Sequence, residues 1–283
     1  MRNALTFSRL TLLEAARRKV LWALGAMALL IIGLSFWGFA ELPEVHPFGA
    51  SMTVADAQLA TAQLLAFALF ALSFIGALGM SFIVTPTIAG ELESGVALAV
   101  LARPVRRPEV LFGKWAGVAG LAVVYMAVIS GAEIAAAEVG TGYRVPDPVT
   151  AVALLAFQSV VLLSFALLLS TWLSALAAGV VTVGLFGTAW VAGLVGDIGQ
   201  SLHDRSVAVV GTVDHLLVPT DGLWQGVMNA LDQPSLASAF SDRLVGNPFY
   251  QGSGLTLAYL GWALGWVGVV LLLTQLRFSR LEL

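Results

Sequence analysis

Long apolar runs separated by short polar interruptions dominate the chain, and these runs are long enough to form membrane-spanning helices. About 20 consecutive apolar residues cross the hydrocarbon core of a bilayer as an α-helix. The apolar runs predict six spans, at residues 20–40, 62–88, 108–134, 150–170, 175–196 and 254–276. The predicted fold class is therefore an all-α integral membrane protein with a single transmembrane domain, residues 1–283.

Two of the uncharged runs are longer than one span needs. No charged residue occurs from 57 to 90, so we expect the second helix to be long or tilted, or to begin on the outer surface. Pro86 should bend the inner end of that helix. The uncharged run from Pro148 to Gly196 is too long for one helix, and two helices joined by a tight turn near Ser170–Ser174 fit it best.

Residues 3–18 contain good helix formers and predict a helix lying at the membrane interface. The leucines gather on one side of a helical projection, although Arg9 falls within the same arc. Basic residues then precede the first span, as they also do in a secretory signal peptide. The apolar run is too long for a typical signal peptide and lacks a small-residue cleavage site, so we interpret it as a retained helix.

A charged interruption at residues 89–107 separates the second and third spans. It opens with Glu91 and Glu93 and contains an apolar stretch, Val96–Leu101, that is far too short to cross a bilayer. Pro104 should end a helix begun near Glu91, and a second proline shortly after it suits the first turn of a new helix. The pattern predicts a short helix at the cytoplasmic surface, then a turn, then the third span.

The positively charged residues predict the orientation of the chain. With both termini in the cytoplasm, five cations lie at the N-terminal end, four in and just after the charged interruption, and two at the C-terminal end. Only Arg144, Arg205 and Arg243 then lie outside. Because cytoplasmic loops carry an excess of Lys and Arg, we expect a multi-pass protein of the cytoplasmic (inner) membrane with residues 197–253 outside.

Composition narrows the chemistry that the chain can perform. It is 59% hydrophobic and only 11% charged, whereas about 25% of the residues in a soluble domain are charged. The sequence has no cysteine and three histidines, which leaves little for metal binding or nucleophilic catalysis. It contains no phosphate-binding loop, so any use of ATP requires another chain. We expect no catalytic residue, no metal site and no nucleic-acid partner.

Three classes of function can be weighed from these residues: an intramembrane enzyme, an ion-coupled carrier and a noncatalytic membrane scaffold. His203-Asp204 and Asp214-His215 could form the metal or acid–base cluster of an intramembrane enzyme, although such pairs are more often simply solvated. An ion-coupled carrier usually buries ionisable groups in mid-membrane, and none falls near the middle of a predicted span. The third class is a noncatalytic membrane scaffold.

Glu133 and two glycine pairs are the remaining candidates inside the spans. Glu133 lies about 28 Å past Lys114 along a helix, near the far interface, which favours an ordinary interfacial carboxylate over a transport site. The pairs Gly113/Gly117 and Gly261/Gly265 permit close helix contact. We interpret both pairs as packing within one subunit rather than as a dimer interface.

The segment at residues 197–253 is far longer than a connection between two adjacent helices requires. Thr220 or Asp221 can cap a helix with an apolar face formed by Leu223, Val227 and Leu231. We predict short helices that lie at the outer leaflet or dip into it. These helices would form a lid over the outer exit of any pathway through the bundle. The predicted lid residues are Pro219, Thr220, Asp221, Trp224 and Met228. The alternative is a flexible loop with incidental apolar residues.

These features together resemble the membrane subunit of an ABC-2 type transporter over nearly the whole chain. The resemblance rests on an N-terminal helix ending in Glu14…Arg17-Arg18, six spans, and the pattern Glu91-x-Glu-x-Gly95…Leu-x-Arg103-Pro-Val-x-Arg107-x-Glu109…Gly113-Lys114. Many such permeases carry a similar ordered series between the second and third spans. Residues 216–221 also resemble, more narrowly, the permeases encoded with nitrous-oxide-reductase maturation genes.

The resemblance implies an exporter permease whose loop at 89–107 is a coupling helix docked on a nucleotide-binding subunit. The implied ATPase-coupling residues are Glu91, Glu93, Gly95, Arg103, Arg106, Arg107 and Glu109. ATP and Mg would bind a partner dimer of cytoplasmic ABC ATPase subunits, so this chain would not itself be an enzyme. A second permease subunit, identical or different, and membrane lipid are the other implied partners. The charges alone fit a solvated loop without a partner equally well.

Overall fold

The computed structural model describes residues 2–42, 54–90, 107–201, 205–231 and 255–280. Five of the predicted ATPase-coupling residues lie outside these ranges, namely Glu91, Glu93, Gly95, Arg103 and Arg106. The described part of the chain is helical and contains no strand. Its nine α-helices are α1 Arg2–Arg17, α2 Lys19–Glu41, α3 Val54–Val84, α4 Arg107–Thr141, α5 Pro148–Leu169, α6 Ala175–Ser201, α7 Arg205–Leu217, α8 Thr220–Leu231 and α9 Leu257–Ser279.

Six of the described helices are long and apolar enough to cross a membrane: α2, α3, α4, α5, α6 and α9. The chain is therefore an all-α, multi-pass membrane protein, as the hydrophobic pattern predicts. The helices α3 and α4 extend beyond the predicted spans, because α3 begins at Val54 and α4 continues to Thr141. Among the spans, α3 and α5 are the most buried, and α2 and α9 are the least buried.

Local sequence explains where the helices begin and end. Arg18 has an extended backbone (φ −70°, ψ 135°), which separates α1 from α2. Pro86 lies in a 3₁₀ turn, Thr85–Thr87, that ends α3, because proline cannot donate the hydrogen bond that would continue the helix. Asp147 caps α5, since its carboxylate accepts a hydrogen bond of 3.2 Å from the backbone N–H of Thr150.

Helix α1 packs against α4 through small residues rather than through its leucines. A Cβ atom placed on Gly117 would lie 2.6 Å from the backbone oxygen of Ser8, so the two backbones are nearly in contact. Thr11 and Ala15 are buried on the same side of α1, whereas Leu5 is exposed. The leucines of α1 are therefore free to face lipid.

The prediction for the glycine pairs holds at one site and not at the other. Gly117 packs within the subunit, as expected. Cβ atoms placed on Gly261 and Gly265 would meet no atom of the described chain within 4 Å. The α9 glycines therefore do not pack within the described part of this subunit, and both are exposed there.

Two ends of the helical bundle can be distinguished by contacts. The base holds Arg107 and the last turn of α9, which are joined by hydrogen bonds from Arg107 to Phe278 and Ser279. The far end holds the last turn of α4 and the start of α5. There a Cβ on Gly140 would lie 2.9 Å from the Cβ of Phe39 near the end of α2.

Helices α7 and α8 form a re-entrant pair at the far end. Helix α7 runs back along α6, where a Cβ on Gly196 would lie 2.5 Å from the Cα of Gly211. Helix α8 then runs along α5. The backbone N–H of Asp147, at the start of α5, donates to the oxygen of Ala230 over 3.2 Å, and the side chain of Gln158 donates to the oxygen of Thr220 over 3.2 Å.

These two contacts give the depth of the re-entrant pair. Gln158 lies about 16 Å along α5 from Asp147, at a rise of 1.5 Å per residue. Helix α8 therefore extends from the middle of α5 to its far end, and the turn before Thr220 is the deepest point of the pair. Backbone at such depth must be covered by protein, and nearly all of α8 is buried.

Candidate functional site

The base of the bundle carries the first candidate site, because the described chain resumes there at Arg107, directly after the predicted coupling residues. Arg107 begins α4, and its Nη1 donates hydrogen bonds to the carbonyl oxygens of Phe278 (3.2 Å) and Ser279 (2.8 Å). These carbonyls end α9, where the helix leaves its last oxygens unpaired and carries a partial negative charge. Arg107 thus joins the start of α4 to the end of α9.

Lys114 makes a second connection at the base. The residue is only 6% exposed, and its Nζ donates to the carbonyl oxygen of Thr87 over 2.7 Å. Thr87 ends the 3₁₀ turn after α3, and its own hydroxyl donates to Val84. Burial of an ammonium group is costly unless it is hydrogen-bonded, so this contact fixes α4 against the end of α3.

Both ends of the predicted coupling loop are therefore attached to several helices at once. The described structure stops at Gly90, shortly after Thr87, and resumes at Arg107. Glu109 lies in the first turn of α4, where a carboxylate is favoured by the helix dipole. The residues that flank the predicted loop therefore join α3, α4 and α9, and α1 joins this group through its contact with Gly117.

The far end carries the second candidate site, built around α8. The predicted lid residues are all buried: Pro219, Thr220, Asp221, Trp224 and Met228. The apolar face predicted for this helix is buried as well, together with most of the opposite face. Helix α8 is thus packed inside the bundle, so its polar residues face other helices rather than solvent.

Polar contacts connect α7 to α8. His215 Nε2 lies 2.7 Å from Asp221 Oδ2, and Gln225 Nε2 donates to the same oxygen over 3.0 Å. The sequence predicts Asp221 as a possible helix cap, whereas in the structure its carboxylate binds side chains of both helices. Gly193 of α6 permits this arrangement, because a Cβ there would lie 2.4 Å from Asp221 Oδ2.

Asp214 lies beside this group of side chains. Burial, and then repulsion from Asp221, raise the pKa of Asp214 to about 7, while His215 opposes the shift. Its Oδ2 atom is buried and has no hydrogen-bond partner within the described chain. The side chain is therefore held in a site that favours its protonated form.

Helix α9 holds the end of α7 through backbone oxygens. Tyr259 Oη donates to the oxygen of His215 over 3.2 Å, and Trp266 Nε1 donates to the oxygen of Leu217 over 2.9 Å. These carbonyls belong to the last turn of α7, which leaves them without partners inside the helix. The re-entrant pair is therefore tied to α5, α6 and α9.

The histidines do not form a metal site in the described structure. His203 and Asp204 lie outside the described residues. No group of three or more His, Asp or Glu side chains within the described ranges could hold a metal ion. The contact between His215 and Asp221 instead joins two helices.

Sequence reasoning missed Gln158, which turns out to contact the deepest point of the re-entrant pair. Gln158 is the only amide side chain in the uncharged run from Pro148 to Gly196, and it is 3% exposed. A lone amide in an apolar run needs a buried partner, since lipid offers none. The sequence therefore indicates that Gln158 has a buried partner, but it does not identify that partner as Thr220 of α8.

Comparison with known proteins agrees with the fold. No curated protein matches the chain at significant similarity. The family described as ABC-2 family transporter protein matches residues 11–283, which include all six spans and both candidate sites. The narrower resemblance to permeases of nitrous-oxide-reductase maturation stays a prediction. The chain belongs to the ABC-2 transporter family and is a membrane-spanning permease of that family.

Proposed function

We propose that this permease exports a substrate across the cytoplasmic membrane, using ATP and Mg bound and hydrolysed on a partner dimer of ABC ATPase subunits. Family membership supports the partner class, since ABC-2 permeases associate with ABC ATPase subunits. The sequence supports the division of labour, because this chain has no phosphate-binding loop. A second permease subunit, identical or different, completes the transporter.

The observation that carries the proposal is that the helices on both sides of residues 91–106 are fixed to their neighbours. The contact of Lys114 with Thr87 holds one side, and the contacts of Arg107 with α9 hold the other. A force applied to this segment by an ATPase would therefore move α3, α4 and α9 together, because packed helices joined by short hydrogen bonds move as units. A solvated loop without a partner has no need of such attachments.

The proposed orientation places the base in the cytoplasm. The N-terminal helix, the segment at 91–106 and the end of α9 carry most of the cations of the chain. Both termini are then cytoplasmic, and the re-entrant pair lies at the outer surface of the inner membrane. In that position the pair covers the outer end of the bundle, as the lid prediction requires.

The test reverses charge in the loop. We expect Glu91→Lys with Glu93→Lys to weaken the electrostatic docking of the ATPase that co-purifies with the full chain, lowering retention about tenfold. The matched control reverses Glu41 and Glu138, two carboxylates at the far end of the bundle. Retention and ATP hydrolysis are measured for both double variants after purification from membranes.

The outcomes separate the candidate functions. Loss of retention with Glu91 and Glu93 reversed, and normal retention in the control, supports the proposal. Equal retention in both variants would contradict it. Transport that persists with a hydrolysis-deficient ATPase would favour an ion-coupled carrier, and a chain that binds the ATPase without affecting hydrolysis would favour a scaffold.

A further inference from the structure

A small chamber lies at the deepest point of the re-entrant pair, where α3, α5, α6 and α8 meet. Its volume is about 10 Å³, which is the space for one water molecule. The chamber is lined by Phe70, Gln158, Phe186, Trp190, Thr220, Asp221 and Trp224. Aromatic rings pack closely around it, since the ring centroid of Phe70 lies 5.1 Å from that of Trp190 and 5.4 Å from that of Trp224.

Three of the lining residues each carry a buried polar atom without a hydrogen-bond partner in the described structure. These atoms are Gln158 Oε1, Thr220 Oγ1 and Trp224 Nε1. The three residues are 3%, 1% and 4% exposed, so solvent outside the bundle does not reach them. Unpaired polar atoms are rare in protein interiors, and three around one chamber indicate a ligand.

The chemistry of the three atoms selects the ligand. The indole N–H of Trp224 can only donate, the amide oxygen of Gln158 can only accept, and the hydroxyl of Thr220 can do both. A metal ion or an ammonium ion cannot accept a hydrogen bond, and a simple anion cannot donate one. Water does both and has the size of the chamber. We propose that this chamber binds one water molecule, which joins the re-entrant pair to α5.

The water supplements the direct contact that α8 makes with the middle of α5. Gln158 Nε2 already donates to the backbone oxygen of Thr220 over 3.2 Å. The nearby carboxylate of Asp221 is engaged through Oδ2 by His215 and Gln225. The bound water therefore anchors the first turn of α8 in the middle of the bundle.

The test uses the isosteric change Thr220→Val in the full chain, reconstituted in lipid nanodiscs. If water bridges Thr220 to its neighbours, removal of the hydroxyl breaks the bridge, and amide hydrogen exchange in residues 220–231 becomes several-fold faster. If the chamber is empty, the same change removes an unpaired buried hydroxyl, and exchange becomes slower or stays unchanged. The two outcomes have opposite signs, and the second would overturn the proposal.

Two further variants control for folding and side-chain shape. Thr220→Ser keeps the hydroxyl and should retain exchange close to that of the unmodified chain. Thr182→Val changes a threonine of α6 that is also fully buried but whose hydroxyl donates to Ala178 within its own helix. It should leave exchange in α8 unchanged. Equal acceleration by Thr182→Val and Thr220→Val would show a general loss of packing and would count against a bound water.

A double-variant cycle tests whether one water molecule bonds to both Gln158 and Thr220. Gln158→Met alone removes both the direct bond and one partner of the water. If one water serves both residues, Gln158→Met with Thr220→Val should accelerate exchange by less than the product of the two single effects, because the first change already releases the water. Multiplicative effects, or an experimental density map showing the chamber empty, would contradict the proposal.

Discussion

At the scale of single residues, Glu133 shows where reasoning from sequence meets its limit. Its distance from Lys114 predicts an ordinary carboxylate at the far interface. The structure instead buries Glu133 completely within α4, because α4 continues to Thr141 and α2 packs over it. Neither carboxylate oxygen makes a hydrogen bond of good geometry to a described residue, although Ser35 of α2 lies nearby. Helix contacts of this kind are absent from a one-dimensional pattern.

Asp214 gives a prediction at the same scale. Its pKa rises from 3.8 to about 7 on folding, because burial and the charge of Asp221 disfavour the ionised form. Between these two values the folded state binds more protons than the unfolded state, so the contribution of Asp214 to stability is present below about pH 4 and is lost as the pH rises toward 7. We expect α7 to open more readily at pH 8 than at pH 5.

The measurement is amide hydrogen exchange of residues 205–217, corrected for the intrinsic effect of pH. Asp214→Asn should abolish the part of the pH dependence due to this carboxyl, since the amide does not ionise. If the pH dependence of exchange is the same in Asp214→Asn, it comes from other titratable groups, of which His215 and Asp221 lie closest. The variant keeps the size of the side chain, so a general loss of packing is not expected.

At the scale of helices, the sequence predicts the six membrane-spanning helices correctly but does not predict how they pack. Long apolar runs are sufficient to identify a spanning helix, because lipid requires every backbone group to be paired within it. The amphipathic pattern of residues 220–231 correctly indicates a helix. The pattern does not show that the polar face of this helix is buried as well. That face is covered by α5 and by the side chains around Asp221.

The contact of α1 with α4 gives a prediction at this scale. Gly117→Val should displace α1, because the new Cβ would lie 2.6 Å from the backbone oxygen of Ser8, which cannot rotate away. Gly120→Val is the matched control on the same helix, since a Cβ there meets no described atom within 4 Å. Faster proteolysis within residues 2–17 is expected for the first variant only. Equal rates in both variants would show that α1 is not held at Gly117.

At the scale of the whole molecule, the number of apolar helices and the family can both be predicted from the sequence. The packing of α7 and α8 into the far end of the bundle cannot. Gln158 lies 62 residues from Thr220, its partner on α8, and the contact between them arises only after α7 and α8 fold back into the bundle. The apolar spans indicate no ionisable group in mid-membrane. The structure shows that a re-entrant pair, which is not a span, carries His215 and Asp221 inward.

The orientation can be tested in this cysteine-free chain. Single cysteines introduced at Thr141 and Arg106 should respond differently to a membrane-impermeant thiol reagent. We expect Thr141→Cys to label in intact cells, and Arg106→Cys to label only after permeabilisation. Labelling of Arg106→Cys from outside would overturn the orientation and the proposed docking of the ATPase together.

The contact between Gln158 and Thr220 also has a consequence for biogenesis. The two residues are 62 positions apart in the chain, so α5 enters the bilayer well before its partner leaves the ribosome. During that interval the amide of Gln158 faces lipid or an insertion factor, which disfavours stable release of α5 into the bilayer. A nascent chain stopped before α8 should therefore remain associated with the insertion machinery or be degraded, and synthesis of α8 becomes the step that commits the permease to its mature form.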